Sequence, residues 1–467
     1  MRALRLAAED LRLWSGSDLI SAATFRAGLD EAKRSLSAPD KALVAVFAGR
    51  TQAGLTAYLA ALELGHAVLL KEDHTGDTRR SLLDAYQPEF VVEGDEATVG
   101  DEATVLPGYR VHGSMLGRRV LIRSSPSGGG LHPQLALVMT TSGSSGRAKT
   151  VRLSYGNVSA NARSIVGALG LEGRDVGITS LPTDYSFGLS IVNSHLVAGA
   201  GLVLSTVGPS SQRFWRLFDR TGVTNFGTVP IGWRIMRQLD WQAGHHPSLR
   251  LAYHAGGALE AELVEYFGRM MAAADGGFCS MYGATEATAR MTCLPPDLLL
   301  DHVGSVGRAI PGGRIRLAGD AGAVGEIVYE GPNVMMGYAR SRRDLSGGDD
   351  LGGVLHTGDL GRLDDGMLYV VGRKDRQVKL YGKRIQLDQI ERRLSGIGPA
   401  AAVQAGSDTA VVFVEGDTDR FRDAWLATLR ALGVPAESLL LRSVPSLPRT
   451  HSGKVDLDRL RSSALGG

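Results

Sequence analysis

The chain has 467 residues, a formal net charge of +2, 43% hydrophobic and 21% charged residues, and two cysteines. That length exceeds one ordinary core, so about two or three domains are expected, and the near-neutral balance argues against a general nucleic-acid binder. Cys279 and Cys293 build no disulfide framework and offer no metal spacing, which fits a reducing cytoplasm. Glu9 and Asp10 follow soon after the first apolar residues, unlike a signal peptide. The longest apolar stretch, Leu189 to Leu204, is interrupted by Asn193, Ser194 and His195, so no membrane span is expected.

Residues 1–36 read as an amphipathic lead-in. Ala42 to Phe47 is a buried-strand candidate, Gln52 to Leu64 a helix closed by Gly65, and Ala67 to Leu70 the next strand. Arg79 to Tyr86 reads as a helix and Phe90 to Val92 as a strand. Strands alternating with helices argue for a parallel α/β layer. Residues 94–105 repeat G-D-E-A-T-V in tandem and read as a surface loop. Ser124 to Gly130 is a Ser/Pro/Gly turn.

Leu135 to Met139 is an apolar run of strand length. It leads into Thr140, Thr141, Ser142, Gly143, Ser144, Ser145, Gly146, Arg147, Ala148 and Lys149. Small hydroxyl residues and glycines let successive backbone N–H groups approach an anion, and a terminal cation can hold outer phosphates. The alternative is a flexible Gly/Ser linker. The kinase-type phosphate loop is excluded by spacing, since it requires Lys directly after its second Gly, and here Arg147 stands there.

Beyond this loop, Ser154 is placed to cap a helix running to about Ala168. Ile178 to Leu181 reads as a strand, and Pro182 opens a turn ending at Gly188. Helix and strand patterns alternate through Ala255-Gly256-Gly257-Ala258 to Cys279–Glu286. From about Val303 the pattern turns to short strands with Gly and Asp turns. Residues 373–393 carry eight Lys/Arg against three Asp/Glu, a basic patch or a solvated strand edge. The tail is a small α+β unit containing Gly453-Lys454.

Taken together and in this order, these motifs resemble the adenylate-forming superfamily of acyl- and aryl-CoA synthetases, stand-alone peptide-synthetase adenylation enzymes and luciferase. They are Thr140–Lys149, Leu181–Gly188, Ala255–Ala258, Tyr282-Gly283-Ala284-Thr285-Glu286, Gly325-Glu326 through Gly337-Tyr338, Thr357-Gly358-Asp359, Gly372-Arg373-Lys374-Asp375 and Gly453-Lys454. The resemblance implies an α/β fold: a large N-terminal domain of stacked α/β layers (1–372) with a small β-barrel-like subdomain. A hinge follows at 373–376, centred on Asp375, and then a mobile α+β C-terminal lid (377–467).

The resemblance also implies roles. Thr141, Ser142, Gly143, Ser144, Ser145, Gly146 and Lys149 would hold the β- and γ-phosphates of ATP. Thr285 would bond the α-phosphate and Glu286 would hold Mg²⁺. Tyr282 and Gly283 would lie at adenine, with Gly256 and Gly257 on its other face. Asp359 would accept from the ribose hydroxyls, Arg373 would reach ribose or phosphate, and Lys454 would bridge the substrate carboxylate and the α-phosphate. By position relative to the motifs, Asp184, Tyr185, Ser186, Asn225, Phe226, Gly227 and Met281 are candidates for the acid pocket.

Peptide-synthetase domains for α-amino acids place Asp immediately after the aromatic at Tyr185. Here Ser186 follows, which argues against an α-amino acid. Asp184 could instead pair with a differently placed amine, such as a β-amino group, or face solvent. Gln389 stands where Glu is usual near the thiolation face. The expected activity is that of a cytoplasmic AMP-forming ligase. It would activate a small carboxylic acid and pass it to a pantetheine thiol of coenzyme A or an acyl or peptidyl carrier protein. Amino-acid adenylation and amide synthesis with an amine acceptor are the alternatives. Neither a nucleic acid nor a membrane is an expected partner.

Overall fold

Strands and helices alternate from Leu43 onward, and parallel pairing follows because each helix carries the chain back across its sheet. The structure, a computed structural model, describes residues 12–72, 76–94, 106–140, 150–319, 324–380, 383–406, 409–449 and 455–465. Among them the strands form five sheets.

The first sheet has a parallel centre. In spatial order its inner strands are Gly277–Tyr282, Leu251–His254, Asn225–Thr228, Val176–Ile178, Gly201–Leu204 and Leu13–Ser15. Antiparallel strands flank them at Thr292–Leu294 and Asp18–Ile20. The second sheet is centred on the parallel strands Leu43–Val46, Ala67–Leu70, Phe90–Val92 and Leu135–Thr140. Thr150–Ser154 returns antiparallel on Leu135–Thr140, and Gly337–Ala339 pairs beyond it.

Two helices lie in the core shared by these sheets, Gln52–Glu63 and Ser186–Ala198. Both are buried on nearly every side, as an all-round apolar helix must be. The Tyr58 hydroxyl donates to Asn193 Oδ1 at 3.0 Å and ties one to the other. The helix Tyr155–Leu169 begins as expected. Ser154 accepts from the Asn157 backbone while the Asn157 side chain bonds back, and Gly170 closes it in the left-handed conformation.

The lead-in is resolved more finely than its sequence suggested. Ser21 caps the helix Ala22–Ser35, and the strand Leu13–Ser15 runs parallel to Gly201–Leu204. Two other expectations are corrected. The strand expected over Ile178–Leu181 is instead Val176–Ile178. The Thr179 backbone N–H still donates to Val203 O at 3.0 Å, but its hydroxyl donates to Ser205 O at 3.1 Å and accepts from Ser205 N at 2.8 Å, taking the place of the next backbone pair. The turn expected to reach Gly188 ends earlier, because the helix already starts at Ser186.

Arg314–Ala318, Gly325–Glu330, Val354–Asp364 and Met367–Arg373 form an open four-stranded antiparallel sheet where a barrel-like unit was expected. Four strands are too few to close around an interior of side chains. The C-terminal domain has its own cores, built on Leu387–Leu394, Arg422–Leu432 and the sheet of Ala400–Gln404, Ala410–Glu415 and Leu439–Val444. Among the described residues no helix is long and apolar enough to cross a membrane.

Candidate active site

The candidate site is built at the C-terminal ends of the parallel strands, where α/β sheets present their loops. Gly277–Tyr282 ends there and delivers Tyr282 through Glu286, all half-buried. Thr285 and Glu286 sit in a short 3₁₀ turn. Gly283 has no room for a side chain, since a Cβ would lie 1.7 Å from Ala289 O.

Glu286 is reached from the other sheet. The Tyr338 hydroxyl donates to Glu286 Oε1 at 2.9 Å. Tyr338 lies on the strand paired with Val151, next to the hairpin whose arms end side by side at Thr140 and Thr150. The candidate metal carboxylate is thus tied to the base of the glycine–serine loop. Burial and the Glu286 charge push the Tyr338 phenol up, which keeps it a neutral donor. Thr141, Ser142, Gly143, Ser144, Ser145, Gly146, Lys149 and Lys454 lie outside the described residues, as does most of the tandem repeat.

Asp359, Tyr282 and Arg373 come together. The Tyr282 hydroxyl donates to Asp359 Oδ2, and Arg373 Nε lies 3.5 Å from Asp359 Oδ1 and 3.1 Å from Asp375 Oδ1. Asp359 and Arg373 face each other across antiparallel strands. Burial raises the Asp359 carboxyl, opposed by the Tyr282 hydrogen bond and the Arg373 charge. Its oxygens keep lone pairs for further hydroxyl donors.

On the acid side, Ser186 Oγ and Thr285 Oγ1 are 3.0 Å apart, so the start of the central helix touches the candidate α-phosphate residue. Tyr185 precedes that helix, and a Cβ on Gly256 would lie 2.3 Å from its hydroxyl. Gly256 itself adopts φ +83°, a conformation suited to glycine. Gly257 is exposed beside it. Burial pushes the Tyr185 phenol up to about 12. Met281 is buried with Tyr253 and Phe187 beneath Tyr185. Gly227 abuts Tyr253, whose ring would lie 2.0 Å from a Cβ there.

Two expected pocket residues, Phe226 and Asn225, are placed elsewhere. Phe226 points to the opposite face of its strand, because alternate residues face opposite ways. It packs with Phe214, Phe218, Trp233 and Trp241. Asn225 is fully buried, with Oδ1 3.0 Å from His195 Nε2. Asp184 does not face solvent, and its buried Oδ1 has no hydrogen-bond partner among the described residues. It is buried, and its Oδ2 accepts from Lys71 Nζ at 2.6 Å.

The residue that sequence reasoning missed is Arg290. It is 1% exposed, its guanidinium carbon lies 3.9 Å from the Phe187 ring centre and 5.5 Å from that of Tyr253, and Nη1 approaches Met281 Sδ at 3.9 Å. No local motif marks it.

The family described as AMP-binding enzyme matches residues 28–339, and the chain belongs to that family. It is 26% identical over 339 residues to the 2-succinylbenzoate–CoA ligase of Listeria innocua, covering 70% of this chain and 69% of the relative. It is 31% identical over 347 residues to the sulfoacetate–CoA ligase of Cupriavidus necator, covering 70% and 67%. Its fold matches that of O-succinylbenzoate coenzyme A synthetase from Bacillus subtilis in complex with AMP. The TM-score is 0.78 at 21% identity, over 99% of this chain and 97% of that one. The same synthetase in complex with ATP and magnesium ion matches with a TM-score of 0.76 at 20% identity, over 99% and 98%.

Proposed function

We propose that the chain is an AMP-forming ligase that activates a small carboxylic acid with ATP and transfers the acyl group to the thiol of coenzyme A. The observation that carries this reading is the Tyr338–Glu286 hydrogen bond, which ties a lone candidate metal carboxylate to the root of the glycine–serine loop. An enzyme joining two anions needs this proximity, because charge must be neutralised where they meet.

In the first step a carboxylate oxygen of the acid bonds to the α-phosphorus of ATP, and the bond to the bridging oxygen of pyrophosphate breaks. Pyrophosphate leaves with the electron pair. Thr285 donates to the α-phosphate and stays oriented by Ser186. Asp359 holds the ribose hydroxyls while Tyr282 and Arg373 fix its carboxylate. Thr141 to Lys149 hold the departing phosphates, and Lys454 bridges the two reacting groups. In the second step the thiol sulfur attacks the acyl carbonyl and AMP leaves.

Magnesium fits these residues. Among the described residues no group of three or more His, Cys, Asp or Glu could hold a metal ion by itself, and Glu286 offers one carboxylate near the base of the loop. Mg²⁺ takes one or two carboxylates plus substrate phosphates. When bound it supplies positive charge to the phosphates.

The domain division proposed is 1–372 and 377–467, turning about Asp375. It is supported by opposed anchors on either side of that residue. Lys374 Nζ holds Glu326 in the N-terminal domain at 3.1 Å, while Arg376 pairs with Asp388 and Glu391 in the C-terminal domain. Rotation there would let one site serve both steps.

The relatives' names, 2-succinylbenzoate and sulfoacetate, both denote acids with a second acidic group. Incubation with ATP, Mg²⁺, a panel of acids and either coenzyme A or a phosphopantetheinylated carrier protein tests the reading. AMP, pyrophosphate and acyl-CoA are expected. Thioester on the carrier protein alone would reassign the acceptor, and amide formed with free amines would replace the thiol. In the same assay Lys454→Ala is expected to slow adenylate formation about 10²–10³-fold, the usual loss for one aimed donor. It should spare thioester formation from supplied acyl-adenylate.

A further inference from the structure

Four arginines are buried among the described residues: Arg152, Arg290, Arg342 and Arg376. Three are paired with carboxylates. Arg152 bonds Asp350 and four backbone carbonyls around it. Arg342 holds both oxygens of Glu89, and Arg376 holds Asp388 and Glu391. Arg290 differs. Among the described residues no carboxylate lies within ion-pair distance of it, and its buried Nε has no hydrogen-bond partner. Its guanidinium rests on the Phe187 and Tyr253 rings and touches only a thioether.

A desolvated cation without an anion is costly, and ring faces compensate only part of that cost. Arginine also does not escape by releasing its proton. Burial lowers its pKa only to about 10, so the side chain stays cationic near neutral pH. The fold therefore maintains a buried cation with no carboxylate partner among the described residues, inside the N-terminal domain.

The position of that cation is specific. Arg290 lies four residues beyond Glu286 and touches Met281, Phe187 and Tyr253, the cluster against which Tyr185 packs. The Tyr185 ring is tilted 58° to that of Phe187 at 6.2 Å, and its hydroxyl fills the space above Gly256.

We infer that Arg290 is the specificity-determining residue of the acid pocket and that the substrate carries a second anionic group, a carboxylate or sulfonate, which pairs with its guanidinium. The proposal rests on the ligase reading above. The carboxylate activated at Thr285 and the second anion at Arg290 mark the two ends of the substrate. A site built around a buried donor set rejects an analogue lacking the matching acceptor, because the donors are then left unpaired.

The test is pyrophosphate release by the full-length chain with ATP and Mg²⁺. The substrates are short aliphatic and aromatic diacids and carboxy-sulfonates, each beside its monoester or neutral isostere. The wild type is expected to favour the dianion by about 10²-fold in kcat/KM. Arg290→Met should abolish that preference without changing KM for ATP, and Arg290→Lys should restore part of it. Three results would overturn the proposal: a monoacid as best substrate, equal use of diacid and monoester, or a preference that survives in Arg290→Met. The wild-type comparison decides whether the substrate is a dianion, and Arg290→Lys keeps the role of Arg290 testable if the Met variant fails to fold. Release with monoacids only would sink this inference and leave the ligase reading standing, whereas no release with any acid would remove both.

Discussion

Asp359 is the residue whose chemistry is most exposed to test. Its carboxyl is raised by burial and held by one phenol and one guanidinium. Asp359→Asn keeps the shape and removes the charge. It is expected to raise KM for ATP by about tenfold or more, the range for a lost charge-assisted hydrogen bond, with a smaller change in kcat. Tyr282→Phe should give a weaker effect of the same kind, and ATP titrations of both variants would show whether they share one role. Because the folded pKa of Asp359 is raised, its carboxylate protonates earlier on acidification than an ordinary aspartate. ATP affinity should therefore fall with falling pH in the wild type and vary less in Asp359→Asn. Thr285, Glu286 and Asp359 were legible in sequence because they stand in short motifs whose order matches a known family. Arg290 was not, since its meaning lies in the absence of a partner, which only the assembled core reveals. Phe226 was misplaced although strand parity could have separated it from Gly227.

At the scale of elements, the strands read as short apolar runs at Leu43–Val46, Ala67–Leu70, Phe90–Val92 and Leu135–Thr140 were legible, whereas strands such as Tyr109–Met115, Arg118–Arg123 and Thr150–Ser154 and the central helix start were not. Gln52–Glu63 and Ala67–Leu70 follow their apolar runs. Ser186–Ala198 begins after Tyr185, which makes no side-chain cap, so no polar signal announces it. Gly188 in its first turn was read as a turn residue. Its reason is steric, as a Cβ would lie 2.0 Å from Pro182 O. The strand Leu251–His254 carries a buried titratable group with a measurable consequence. His254 Nε2 lies 2.7 Å from Ser280 Oγ, and Nδ1 has no partner. Burial lowers its pKa to about 3. A depressed histidine binds its proton more weakly when folded, so the unfolded chain gains protons first as pH drops below about 6.5. Stability should be fullest above that value and decline continuously toward the folded pKa. His254→Phe should flatten part of this decline in thermal melts taken across the acidic range. His195, also lowered by burial, should leave the rest.

At the scale of the molecule, two sheets with shared central helices bring together residues from distant segments, and a separately cored C-terminal domain sits beyond the 373–376 segment. The order of motifs was enough to read that plan from sequence, because it matched the order of a family with one known architecture. The barrel-like reading of the small sheet failed for want of strands, a property of the register and not of any motif. A chain that makes an acyl-adenylate must run the first step backwards when pyrophosphate is supplied. The most direct measurement is therefore exchange of labelled pyrophosphate into ATP across a panel of acids. Acid-dependent, Mg²⁺-dependent exchange that persists without coenzyme A is the predicted result. Acid-independent exchange, or acid-dependent release of ADP and phosphate in its place, would contradict it.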